Sequence, residues 1–181
     1  MKFYKRIIAT VTLVCCLLSC SSDLDYDQVH DFNIQPVITT NLAYVNAKAT
    51  DFILTGSEVP NFSYTSNVDF LNTSFVKDDM VKTELYFRFK NTINRSFTFN
   101  ITFLDGNDAP IYDINMEVPA SSGTDVILDD IEVFTQANVA TLKNTTKMIF
   151  SIQMHPGPPI TPSTPGRVEF SSSITAYFDV K

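Results

Sequence analysis

Val81-Lys82-Thr83-Glu84-Leu85-Tyr86-Phe87-Arg88-Phe89-Lys90 puts Val81, Leu85, Phe87 and Phe89 on one side of an extended chain. Lys82, Glu84, Arg88 and Lys90 fall on the other. A side-chain period of two marks a strand with one face buried and one face wet. The pattern recurs in both directions from this stretch. Phe97, Phe99, Ile101 and Phe103 alternate with Ser96, Thr98, Asn100 and Thr102, and Tyr112, Ile114, Met116 and Val118 with Asp113, Asn115 and Glu117. Met148, Phe150, Ile152 and Met154 follow, then Phe170, Ile174, Phe178 and Val180. Weaker alternation predicts strands near residues 32–39, 43–49, 68–75 and 123–128.

Turn residues separate these runs. Asn91-Thr92-Ile93-Asn94 predicts a hairpin between its two flanking strands. Asp105-Gly106-Asn107-Asp108 predicts another, because Gly and Asn accept positive φ. A single short helix is expected over 132–143, after Asp129 and Asp130, where a helix N-terminus favours negative charge. Strands with one apolar face must cover each other in pairs of sheets. The expectation is an all-β fold, an antiparallel immunoglobulin-like β-sandwich of eight or nine strands, spanning residues 31–181. No repeat of a solenoid or propeller kind is visible.

The run from Glu84 to Tyr112 resembles the late-embryogenesis-abundant type 2 sandwich, with a strand, an Asn-containing turn, a second strand and a short hairpin. It departs from that family at Asn91-Thr92, where the family has an Asn-Pro turn. The resemblance implies a sandwich and no activity.

The first nineteen residues have a different character. Lys2, Lys5 and Arg6 precede an apolar stretch from Ile7 to Leu18, too short to span a bilayer and patterned as a secretory signal. Leu17-Leu18-Ser19-Cys20 resembles the bacterial lipobox. The resemblance implies cleavage between Ser19 and Cys20, lipid on Cys20, and a lipid bilayer as the partner of the anchor. Two or more acyl chains give stable anchoring. Cys15 and Cys16 would leave with the signal, so the body after Cys20 would hold no thiol for a disulfide or a metal. Residues 20–30 are then a lipidated acidic tether. Its Ser21, Ser22, Asp23, Asp25 and Asp27 resemble the sorting stretch of surface-exposed Bacteroidota lipoproteins, which implies the outer face of the outer membrane. The spacing of Asp23, Asp25 and Asp27 also opens calcium loops, but Gln28 and Ile34 stand where such a loop needs Gly and Glu. The whole chain is similar to small flavobacterial envelope lipoproteins.

The net charge of −7 includes those three signal-peptide cations. The body is therefore more acidic than the whole, which argues against nucleic acid, where cationic contacts to phosphate dominate. The two histidines, His30 and His155, lie far apart and without a nucleophile motif, so neither a catalytic triad nor a zinc site is expected. The carboxylate pairs Asp78-Asp79, Asp105 with Asp108, and Asp129-Asp130 sit where turns and helix starts favour Asp. Five scattered glycines make no phosphate loop. No catalytic residue, metal or cofactor is expected.

Two features are candidate binding sites. The segment 156–166 carries Pro156, Pro158, Pro159, Pro162 and Pro165, a stiff exposed connection suited to docking or to discouraging edge aggregation. Tyr86 and Tyr177 stand on nominally polar strand faces and are a candidate ligand platform. The functional expectation is a membrane-anchored envelope lipoprotein, a non-enzymatic binding or scaffolding module for a protein or glycan. The alternatives are a carbohydrate-binding accessory of a surface glycan-uptake system and, behind it, an envelope hydrolase.

Overall fold

The computed structural model describes residues 33–180, together with Tyr4. The expected signal and tether otherwise lie outside the described residues. Ile34–Val180 forms one compact unit. Its strands are β1 (Val37–Lys48), β2 (Ile53–Leu54), β3 (Ser57–Glu58), β4 (Asn61–Asn67), β5 (Met80–Asn91), β6 (Phe97–Leu104), β7 (Pro110–Val118), β8 (Val126–Phe134), β9 (Lys147–Met154) and β10 (Arg167–Phe178). Sheet one runs β1-β10-β5-β8, sheet two β4-β9-β6-β7, and β2-β3 is a separate small hairpin. Every pairing is antiparallel.

The alternation that opened the sequence is realised in β5. Leu85, Phe87 and Phe89 are buried, and their polar neighbours form the outer face of sheet one. Phe170 of β10 joins Phe89 (ring centroids 4.7 Å apart) and meets Phe99 of β6 at 4.3 Å across the sandwich. Edge-to-face and offset aromatic contacts of this kind add to simple area burial.

Setting aside the β2-β3 hairpin, the eight long strands pair first with last, second with seventh, third with sixth and fourth with fifth. One long antiparallel ribbon is wrapped over itself, the arrangement of an eight-stranded jelly roll with two Greek keys. The antiparallel sandwich expected from the alternation stands. Its strand order, which side-chain alternation does not encode, is the jelly-roll order.

Several local expectations are corrected. Among the described residues 33–180, ten strands and two short α-helices, Ser74–Asp79 and Val139–Asn144, stand in place of the expected eight or nine strands and one helix. Residues 37–39 and 43–48 of the two expected strands belong to one strand, β1, whose register shifts at Asn41/Ala43, and Ile34 makes only an isolated bridge to Val180. The expected strand 68–75 is a 3₁₀ turn, Asp69–Asn72, leading into Ser74–Asp79; Thr73 caps it by accepting the Val76 N–H through its hydroxyl. The expected helix at 132–143 begins as strand, because Phe134 is buried opposite Thr83 in the β5 ladder. Asn91–Asn94 is no hairpin. β5 and β6 lie in different sheets, and the chain arches between them. Asn91 holds the arch: its side-chain Nδ2 donates to the carbonyls of Arg95 (2.8 Å) and Pro119 (2.7 Å), its Oδ1 accepts the Ile93 N–H, and Ile93 itself is buried.

Candidate functional site

β1 and β4 are edge strands, and they lie on the same side of the sandwich. Between them the two sheets do not close. Leu42, Ala43, Val45 and Ala47 of β1 face Phe62, Tyr64 and Ser66 of β4 across a cleft of about 630 Å³, floored by core residues including Phe99, Phe150 and Phe170. Ala43, Ala47 and Ser66 are too small to meet across the gap. Residues on the inward register are consequently wet: Tyr64 is 69% exposed, and Val45 and Phe62 are each 40% exposed. Tyr44, on the outward register of β1, stands at the rim. The crossover from β1 to β4 packs Phe52 against Phe62 (5.2 Å) and Phe97 (5.3 Å) at one end. Past the other end of β4, Phe70, Leu71 and Phe75 line a second, smaller cavity of about 170 Å³ with Ile38 and Thr40 of β1. The cleft is thus framed on four sides. Its one charged lining residue, Asp51, already accepts the Lys48 backbone N–H at 2.8 Å. A concave, mostly apolar volume of this size is what small-ligand and side-chain binding sites share.

The opposite seam, between β7 and β8, is built differently. Tyr112 fills it, stacked edge-on against Phe103 and Phe134, and donates its hydroxyl to Glu132. That carboxylate bond, with burial, pushes the Tyr112 phenol up to about 12. β8 carries Asp129, Asp130 and Glu132, and β7 opens with Pro110 and carries Asp113 and Glu117. Charges and a proline on edge strands discourage pairing with another chain. β1 and β4 lack them: β1 has one charge, the terminal Lys48, and β4 has none.

Of the residues singled out in the sequence, Ser19, Cys20, Ser21, Ser22, Asp23, Asp25, Asp27 and His30 lie outside the described residues. Tyr86 and Tyr177 share the outer face of sheet one, but both are engaged. Tyr86 donates its hydroxyl to Asp129 and Tyr177 donates to Glu84 at 3.1 Å. Lys82 sits 4.8 Å over the Tyr177 ring, and its hydrogen bond to Glu84 holds that carboxyl below its ordinary value.

All five prolines of 156–166 are exposed, but the segment is tied down. Arg95, only 5% exposed, donates to the carbonyls of His155 (2.7 Å) and Pro158 (2.9 Å) and to the Glu58 carboxylate (3.1 Å). Glu58 in turn accepts the Ile160 N–H at 2.7 Å, and that bond, with Arg95, holds its pKa down. Ile160 is buried in the core. His155 places Nε2 2.7 Å from the Thr98 hydroxyl and 3.5 Å from Glu117. A triad needs the carboxylate on the other ring nitrogen from the nucleophile, and here both meet the same one. Asp105 Oδ1 accepts the N–H groups of Asn107 and Ala109, and these turn bonds lower its pKa. Asp108 pairs with Lys147. Among the described residues no three His, Cys, Asp or Glu side chains are grouped to hold a metal.

No family model matches the chain, and no curated protein matches it. Among solved structures, the chain is similar to a protein of Parabacteroides distasonis ATCC 8503 described as secreted (TM-score 0.42, 11% identity, 64% of this chain and 38% of that one). It is also similar to the infectious bursal disease virus VP2 subviral particle (TM-score 0.42, 10% identity, 79% and 32%). The tobacco streak virus coat protein dimer superposes at TM-score 0.35 with 11% identity, over 81% and 87% of the two chains. The chain spans little more than a third of the first of these structures. At this level of superposition none of them bears on what this chain does.

Proposed function

We propose that the protein is a lipid-anchored, non-enzymatic binding module of the cell envelope, displayed on the outer membrane, and that the β1–β4 cleft is where it binds. The observation that carries the binding role is the cleft itself, an apolar volume of about 630 Å³ framed by four segments and left open by alanine and serine. Exposed apolar surface of that kind is costly to keep unless something occupies it. Ala43→Trp would fill it from the β1 side. Binding of an apolar dye such as anilinonaphthalene sulfonate should fall at least tenfold while thermal stability holds or rises; unchanged binding places the site elsewhere. The anchor is supported by Leu17-Leu18-Ser19-Cys20. Cys20→Ala should abolish metabolic labelling with palmitate and release the protein from membranes. Surface display predicts that protease added to intact cells digests β10, and protection would put the body in the periplasm.

One observation favours the carbohydrate-binding alternative, and it moves that site away from Tyr86 and Tyr177. The outer face of sheet two presents Asn61, Ser63, Gln153, Ser151, Thr98, Asn100 and Asn115 around a depression of about 380 Å³. Asn is depleted in strands, so several amides on one pleated face run against propensity. Asn100→Ala with Asn115→Ala should abolish any glycan-array signal; a signal surviving the pair removes this reading.

A further inference from the structure

The edges beside the cleft say more about the occupant than its volume does. Edge strands in natural proteins are normally guarded against pairing. Here the guarding is one-sided. β7 and β8, at the closed seam, carry five acids and a leading proline. β4, Asn61-Phe62-Ser63-Tyr64-Thr65-Ser66-Asn67, has neither charge nor proline and keeps an unbroken register with β9. The Met154 N–H bond to the Pro60 carbonyl (2.7 Å) sets the phase of that ladder. Hydrogen-bonded pairs alternate in an antiparallel ladder, so Phe62, Tyr64 and Ser66 spend their backbone groups on β9. The N–H and C=O of Ser63 and Thr65 therefore point out from the free edge. The same strand aims Phe62, Tyr64 and Ser66 into the cleft, opposite Ala43, Val45 and Ala47.

We propose that the occupant is an extended peptide segment of another protein, added to the free edge of β4 as a fifth strand of sheet two. This rests on the cleft being the binding site. Backbone pairing to Ser63 and Thr65 would supply affinity, and every second side chain of the incoming segment would enter the cleft, in the manner of strand addition. β4 offers seven residues, so the segment is about seven residues long, on the order of 23 Å at 3.3 Å per residue. Its cleft-facing side chains are apolar and uncharged, because the cleft's single carboxylate, Asp51, is already satisfied by Lys48. An acyl chain would use the apolar lining but leave the exposed donors and acceptors of β4 unused. A second copy of this chain is disfavoured by charge, since the full chain carries −7 and the body without Lys2, Lys5 and Arg6 is more acidic still.

The probe is an eleven-residue peptide of alternating Thr and Val with two lysines at each end, titrated into the full-length protein. The control is the same peptide with its central residue replaced by Pro. Ser63→Pro and Thr65→Pro remove edge-facing N–H groups and leave the β9 ladder in place; Thr65 lies outside the cleft lining, whereas Ser63 stands at its rim. The expected result is binding at least tenfold tighter than the control, protection of the Ser63 and Thr65 amides from hydrogen exchange, and at least tenfold loss in either proline variant. Anilinonaphthalene sulfonate binding should survive in both variants, and a single cooperative urea transition in each shows that they fold. Peptide binding that is absent, or indifferent to both prolines, overturns strand addition even where the dye still binds and the cleft reading stands. Loss of both peptide and dye binding in the wild type overturns the cleft reading with it. Displacement of the dye by dodecanoate but not by the peptide overturns the proposal in favour of an acyl occupant. A wild-type dimer that Ser63→Pro dissociates overturns it in favour of a second copy.

Discussion

Arg95 ties three separate pieces of chain with one guanidinium: the β2-β3 hairpin through Glu58, the end of β9 through the His155 carbonyl, and the proline segment through Pro158. Only a planar fork of fixed donors meets acceptors in that many directions. Gly157 lies where a Cβ would come within 2.8 Å of Arg95 Cδ, so the glycine makes room for the fork. Removing one partner of a buried charged network costs several kcal/mol. Arg95→Ala should therefore lower stability by about 3 kcal/mol in urea unfolding, and Arg95→Lys should recover only part of it, because a point charge cannot reach all three acceptors. The same network makes a pH prediction. Glu58 is held below its ordinary value of 4.5, first by the Ile160 N–H and then by Arg95. A carboxyl with a depressed folded pKa stabilises the fold above its unfolded value and stops doing so as pH falls through the folded one. Melting temperature should decline as pH drops below 4.5, and Glu58→Gln should flatten that decline while lowering the plateau at pH 7. Equal slopes in both proteins would show that Asp105 and Glu84, whose pKa values are also lowered, carry the acid sensitivity instead.

At the scale of elements, legibility followed side-chain period. β5, β6, β7, β9 and β10 are all readable in the chain, because each buries one face deeply and so repeats large apolar residues every second position. The Asp105–Asp108 hairpin is readable for a different reason, its local turn chemistry. β4 was missed, although Phe62 and Tyr64 alternate with Ser63 and Thr65, because a strand at an open edge carries only two large apolar residues. That omission hid the candidate cleft, whose two walls are 20 residues apart in sequence and meet only once the sheets are ordered. Asn91–Asn94 misled for the opposite reason: turn residues say that the chain reverses, not whether it stays in one sheet, and the buried side-chain bonds of Asn91 decide for an arch. The strand that binds the two sheets most closely is β10, through Phe170, which meets Phe87 and Phe89 within sheet one and Phe99 and Phe150 across the sandwich. Phe170→Ala should cost about 3–5 kcal/mol, at the level of large-to-small changes in rigid cores. Phe62→Ala, at the open edge, should cost well under half of that by the same denaturation measurement, since its ring is already partly in water. Comparable losses would mean that the seam is closed in solution.

The wrapping of the whole molecule sets the order in which it can form. Val37 pairs with Tyr177 and Thr83 with Phe134, whereas Phe103 pairs with Tyr112 across one turn. The nested pairing therefore runs from a separation of six residues, Leu104 to Pro110, at β6·β7 out to nearly the full length of the domain at β1·β10. Closing a loop costs entropy that rises with its length, and non-local pairing slows folding. Sandwiches of this kind fold in milliseconds to seconds. The cheapest start is the β6·β7 hairpin, already shaped by Asp105, whose side chain binds two backbone N–H groups of the turn. Each further pair then closes around a structure that has shortened its effective loop, β9 onto β6, and last β1 onto β10. Mutational kinetics should show this as a gradient. Ile101→Val in β6 should slow refolding with little change in unfolding, because its contacts are present in the transition state. Val168→Ala in β10 should speed unfolding and leave refolding nearly unchanged. The reverse assignment, with β1·β10 contacts formed early, would mean that hydrophobic collapse of the Phe89–Phe99–Phe170 cluster outweighs loop closure.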